Sequence, residues 1–178
     1  MKNVRTSLTD PLRIDWIETK AGGLIGMTFC PGKKGDSIYG SPWDRDLEMD
    51  LQVIREKASV LVTLIEDHEF SLLGVEDLES QAARAGLTWL HLPIRDMSVP
   101  DHAFMDMWPE KSQHLRTILG KHENAVIHCR GGLGRTGVVA VMLLADMGIP
   151  AAEALELVRS ARPNTVETRE QEEFCLSY

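Results

Sequence analysis

The chain has 178 residues, the length of one domain with a core of its own. Apolar residues make up 43% and charged residues 26%, which excludes a disordered chain. The net charge of −8 excludes a broad nucleic-acid or acidic-membrane surface but leaves room for a local anion pocket. The longest apolar run, Val138 to Ala145, is too short to span a bilayer. Met1 to Asp10 has no apolar stretch of the secretory kind, so a cytoplasmic protein is expected. Three cysteines, Cys30, Cys129 and Cys175, cannot form a full disulfide framework. An odd count in a reducing compartment points to a thiol with its own chemistry.

Ile14 to Ile17 and Leu24 to Met27 flank Ala21-Gly22-Gly23, which predicts two short strands around a glycine turn. Cys30 to Pro42 reads as a loop, with Pro31, Gly32, Gly35, Gly40 and Pro42 as breakers. Asp44 to Lys57 places Leu47, Leu51 and Ile54 at helical spacing, so a helix capped by Asp44 or Ser41 is expected. Ser59 to Ile65 is a short β-branched run suited to a buried parallel strand. Val75 to Ala85 reads as a helix stopped by Gly86, and Leu87 to Ile94 as a second strand. Phe104 to Lys121 is expected to be mostly helix, broken or started by Pro109. Ala125 to His128 is a third strand. Arg135 to Met147 is a nearly all-apolar helix stopped at Gly148, and Ala151 to Ala161 a further helix ended by Pro163. With no internal repeat or linker, 1–178 reads as a single α/β domain: a central, mostly parallel sheet flanked by helices. In such sheets ligands bind at the C-terminal ends of the strands.

One such end carries His128-Cys129-Arg130-Gly131-Gly132-Leu133-Gly134-Arg135-Thr136-Gly137. A strand ends, a glycine-rich loop follows and a helix begins. Glycines let backbone N–H groups turn inward into a nest for an anion. The new helix aims its positive end at the same spot. A thiol there is expected to ionise more readily than a free one. Arg135 can grip two oxygens of a tetrahedral anion in a fork, and Thr136 can donate its hydroxyl to the thiolate. A nucleophile facing a phosphate implies covalent phosphoryl transfer. A buried core cysteine on a plain strand-to-helix turn is the competing reading.

These residues match His-Cys-x5-Arg-Ser/Thr-Gly, and the chain resembles the cysteine-dependent protein phosphatases. The resemblance implies the tyrosine and dual-specificity phosphatase fold and a phosphocysteine intermediate on Cys129. It implies phosphate held by Arg135 and by the N–H groups of Arg130, Gly131, Gly132, Leu133, Gly134 and Arg135. His128 is read as bonding loop carbonyls to steady Cys129. No cofactor is implied; His91, His102, His114 and His122 lack metal-ligand spacing, so no metal is expected.

The leaving oxygen needs a proton, and the same carboxyl can then activate water. In this family the acid lies on a loop roughly thirty residues before the cysteine, and Asp96 lies 33 before Cys129. Pro93-Ile94-x-Asp96, ending in Pro100-Asp101, resembles the cyclin-dependent kinase-associated subgroup of dual-specificity phosphatases, where the first aspartate is the acid. Asp101 is the alternative acid, read instead as a helix N-cap. Trp108-Pro109-Glu110 resembles an acid loop only superficially, since it sits in a helical stretch. Glu167-Thr168-Arg169-Glu170-Gln171 matches the family's final motif in a variant form. Glu167 replaces a glutamine that helps place the hydrolytic water, and it would repel a phosphate unless turned away or paired. Gln171 is the candidate for water placement; the competing reading has Thr168 capping the last helix and Gln171 on the surface. Cys30 could protect Cys129 as a reversible disulfide or be a plain loop or core cysteine, and Cys175 is read as buried on the last helix.

The expected function is hydrolysis of phosphotyrosine, phosphoserine or phosphothreonine in a phosphorylated protein. The alternatives are a phosphoinositide or RNA 5′-phosphate substrate, or a phosphopeptide-binding pseudophosphatase. Only Arg130 adds charge within the loop, and Cys129, Arg135 and Asp96 are all present, which favours an active protein phosphatase.

Overall fold

A computed structural model describes residues 3–37 and 40–178. Positions 38 and 39, part of the expected Cys30–Pro42 loop, lie outside the described residues. The strands are β1 (Asp15–Glu18), β2 (Leu24–Thr28), β3 (Lys34–Gly35), β4 (Trp43–Asp44), β5 (Val60–Thr63), β6 (Thr88–His91) and β7 (Ala125–His128). The helices are α1 (Leu47–Arg55), α2 (Asp67–Leu72), α3 (Leu78–Arg84), α4 (His102–Gly120), α5 (Gly134–Asp146), α6 (Ala151–Ala161) and α7 (Arg169–Ser177).

The main sheet has the order β1-β2-β7-β5-β6. β1 runs antiparallel to β2, and every other pairing is parallel. This is the expected mostly parallel sheet with helices on both faces. Side chains of a strand alternate between faces, so neighbouring residues serve two cores. Val60 and Val62 of β5 and Ala125 and Ile127 of β7 join Phe104, Trp108 and Leu115 of α4 and the apolar body of α5. Leu61 and Val126 face the other way, onto Leu51 and Ile54 of α1 and Leu78 of α3. Both β5 and β7 are buried throughout, which is why they read as unbroken apolar runs. From Gly134 to Leu144, α5 is buried on all sides, with α6 and α7 covering it.

Several expectations need correction. Asp46 caps α1, through Met49 N–H at 2.9 Å, in place of Asp44 or Ser41. Asp44 is occupied in β4, which pairs with β3. Pro109 neither breaks nor starts α4, which runs through it from an Asp101 cap. Pro109 is exposed, while Phe104, Trp108, Ser112, Leu115 and Leu119 anchor the opposite side. That packing offsets the roughly 3 kcal/mol an internal proline costs. The helix expected from Val75 starts at Leu78, and α2 precedes it.

Candidate active site

His128 ends β7 at the centre of the sheet. Its Nδ1 lies 3.1 Å from the Cys129 carbonyl and its Nε2 2.7 Å from Thr63 Oγ1. The carbonyl can only accept, so Nδ1 carries the proton and Nε2 accepts from the Thr63 hydroxyl. Thr63 Oγ1 accepts in turn from Trp89 Nε1 at 2.8 Å. Burial pushes the imidazole down to about 4, so His128 is the neutral centre of a three-residue chain.

The loop carbonyls all find partners outside the loop. Arg130 O accepts from Cys30 N–H at 3.2 Å and Lys33 Nζ at 3.4 Å. Arg162 takes Gly131 O at 3.2 Å and Gly132 O at 2.7 Å, braced by Asp15 at 2.8 Å. Leu133 O accepts from Val166 N–H and Gly137 N–H, each at 3.1 Å. In a trans peptide the N–H points opposite to the C=O. The carbonyls of 129 to 133 therefore turn outward, and the amides of 130 to 134 turn in. The Gly132 N–H donates to Cys129 Sγ at 3.2 Å, which sets the thiol against that cradle. Gly132 has φ +70°, and a Cβ there would come within 2.2 Å of the Thr28 carbonyl. Only glycine fits.

Arg135 is buried in the first turn of α5. Glu69 of α2 holds it in a fork, Nη1 to Oε2 at 2.6 Å and Nη2 to Oε1 at 2.9 Å. Nη1 also donates to Ile94 O at 3.1 Å, and Nη2 lies 3.0 Å from Asp96 Oδ1. Glu69 is itself fixed by the Glu66 N–H at 2.8 Å. Burial works against its charge, but Arg135 and the Glu66 amide outweigh it and hold the carboxyl below its ordinary range. Asp96 is half exposed at the mouth.

Two expectations for this site are revised. Thr136 does not hydrogen-bond the sulfur; its hydroxyl is buried without a partner among the described residues, and the Gly132 amide meets Sγ instead. Gln171 is buried, not on the surface, and both ends of its amide are engaged. Oε1 accepts from Glu167 N–H at 3.0 Å and Thr168 N–H at 3.2 Å, and Nε2 donates to Ser98 O at 3.0 Å. It thus ties the Asp96 loop to the α7 cap. Thr168 caps α7, as the competing reading had it, with Gln171 completing the box.

Lys33 and Glu69 were not singled out from the sequence. Lys33 sits behind the loop, over the rings of Phe29 and Trp43 at 4.3 and 4.6 Å. Burial pushes it down to about 8, against the pull of Cys30 and Cys129. Cys30 is a buried free thiol donating to Pro31 O, and burial raises its pKa. Trp108 Nε1 bonds Asp146 and Tyr178, which fixes the Trp-Pro-Glu stretch as structure. Among the described residues no cluster could hold a metal ion, and no helix is long and apolar enough to cross a membrane.

A family model described as "Polymorphic toxin system, DSP-PTPase phosphatase" matches residues 39–149. Asp96 and the whole cradle lie inside that span. The chain is 27% identical over 161 residues to cyclin-dependent kinase inhibitor 3 of Rattus norvegicus, covering 85% of this chain and 71% of that one. In fold it is similar to a crystal structure of kinase associated phosphatase whose catalytic-site cysteine is replaced by serine. The TM-score is 0.80 at 24% identity over 93% of both chains. It is also similar to Tk-PTP in its active form, with a TM-score of 0.67 at 28% identity, over 88% of this chain and 91% of that one.

Proposed function

Because this chain belongs to the DSP-PTPase phosphatases it is a cysteine-dependent protein phosphatase, and we propose that the cradle around Cys129 is its active site. The observation that carries the proposal is the loop whose carbonyls are all taken up on its outer side, with the Gly132 amide on Cys129 Sγ and Arg135 clamped in the helix turn that follows. Sγ attacks the phosphorus of a phosphorylated tyrosine, serine or threonine. The S–P bond forms as the P–O bond to the protein breaks, and the leaving oxygen takes a proton from Asp96. The three remaining oxygens collect charge where the amides and Arg135 are aimed. Of the guanidinium nitrogens, Nε meets no acceptor among the described residues, while Nη1 and Nη2 are shared with Glu69. Nε is the donor left for substrate, one contact where a two-oxygen fork was expected of Arg135. Asp96, now a carboxylate, takes a proton from water as that water displaces Sγ and releases phosphate. The free thiol and the reading of the sequence fit a reducing, cytoplasmic setting.

The test is hydrolysis of para-nitrophenyl phosphate in EDTA, from pH 5 to 8, by the wild type and Cys129→Ser. Turnover by the wild type alone, with a phosphocysteine trapped by acid quench, is the expected result. Appreciable turnover by Cys129→Ser would refute the assignment of the nucleophile.

A further inference from the structure

The cradle holds a second acid that the mechanism above does not use. Glu167 Oε2 lies 2.5 Å from the position a Cβ on Gly134 would occupy, so only glycine at 134 admits it. The Gly134 amide is among the groups that favour the charge on this carboxylate. That amide is the one the outward Leu133 carbonyl turns into the cradle. Glu167 therefore lies against the residue whose N–H a phosphate oxygen would use.

The backbone is set for this contact. Val166 stands at φ +59°, a region β-branched residues rarely adopt. It is held there from three sides. Its N–H donates to Leu133 O at 3.1 Å, Arg159 Nη2 takes its carbonyl at 3.2 Å, and Gln171 Oε1 accepts from the next amide at 3.0 Å. Glu167 as a whole remains exposed.

We propose that Glu167 is a resident anion of the cradle: its carboxylate occupies the Gly134 amide in the empty site, yields to a substrate phosphate, and returns to compete with the phosphate product. The inference rests on the proposed reading of the cradle as the phosphate site. The charged groups facing Glu167 are Asp96, from the loop after β6, and Arg135 of α5. From α7 it meets the uncharged Gln171, and Arg159 of α6 is taken up by Thr165 O, Val166 O and Glu172. Burial, then Asp96, raise its pKa, and the Gly134 amide and Arg135 offset this only in part. It takes up its proton at a higher pH than a free glutamate does. A neutral side chain competes less, so the device weakens as pH falls.

Inorganic phosphate titrated calorimetrically into the full chain, Glu167→Gln and Glu167→Ala, from pH 7 down to 5, tests this. Both variants should bind about tenfold more tightly than wild type at pH 7, the effect of removing one charged hydrogen-bonding competitor. The gap should narrow toward pH 5. Equal affinities at every pH, or weaker binding by the variants, would overturn the proposal and leave the cradle standing. No phosphate binding by any of the three would overturn both readings. The 15N-resolved amide of Gly134 gives a check in the wild type alone. It should titrate with pH in the phosphate-free protein and lose that titration when phosphate is bound. An amide indifferent to pH would overturn the proposal even if the variants fail to fold.

Discussion

Replacing Glu69 with glutamine tests what fixes Arg135. Both residues are buried, at 2% and 1% exposure, and are joined by two charged hydrogen bonds of 2.6 and 2.9 Å. Glutamine keeps the shape and one acceptor but sets an NH2 group against a guanidinium that can only donate. One bond becomes a donor–donor contact and the charge is gone. Removing one partner of a buried pair costs about 3–5 kcal/mol. Arg135 keeps the Ile94 carbonyl at 3.1 Å and Asp96 at 3.0 Å, so the low end, about 3 kcal/mol, is expected. In a domain of this size that lowers Tm by roughly 6–12 °C. The freed guanidinium also drifts, and a displacement of about 1 Å costs on the order of a hundredfold in kcat/KM. Urea denaturation and para-nitrophenyl phosphate kinetics measure the two effects. The pair Glu69→Leu with Arg135→Met separates them: stability should largely return while turnover stays lost. Wild-type kcat and KM in Glu69→Gln would refute the positioning argument whatever its stability.

Gly132→Ala should lose at least about 2 kcal/mol, because an L side chain is strained at φ +70° and its Cβ would strike the Thr28 carbonyl. Turnover should fall with it, and a stable, active variant would contradict the cradle geometry. His128 has its pKa lowered from 6.5 to about 4, so its contribution to stability is full above 6.5 and drains away toward 4. The loss is on the order of 3 kcal/mol. Denaturation midpoints of His128→Gln should lack this part of the pH slope, and an unchanged slope would place the titration elsewhere. Chelation with EDTA should leave activity intact, and its loss would reveal a metal requirement.

What was legible in the sequence is what neighbouring residues encode together. The loop from His128 to Gly137 is contiguous, and its glycines, thiol and arginine constrain one another within ten residues. The caps at Asp101 and Thr168 could be read for the same reason, since a cap and its amide lie three residues apart. Glu69 could not. It lies 66 residues from Arg135, on a helix of six residues too short for an apolar period to show. The available signal was indirect: a fork-forming arginine that is to be buried needs a carboxylate, and Glu66 and Glu69 follow a strand ending beside it. The α1 cap was misplaced because pairing of β4 with β3 is a tertiary fact. Pro109 misled because a breaker on an exposed helix face is overridden by packing on the other.

Three carboxylates share the surroundings of one guanidinium, and burial divides their work. Glu69 is enclosed and hydrogen-bonded at both oxygens, so it stays charged and cannot leave. Asp96 and Glu167 stand exposed at the mouth, each near Arg135 and near the other. A phosphate dianion brings two more negative charges to the same place. The site can accept it only if the mouth gives up negative charge, by displacement or by proton uptake. The proposed mechanism asks Asp96 to donate a proton to the leaving oxygen. These requirements point the same way, so kcat/KM should fall as pH rises from 5 to 8. In Asp96→Asn the rate should drop with little change in substrate affinity, and the alkaline fall should flatten. An alkaline fall that survives in Asp96→Asn would assign the essential proton to another group, with Asp101→Asn the variant to examine next.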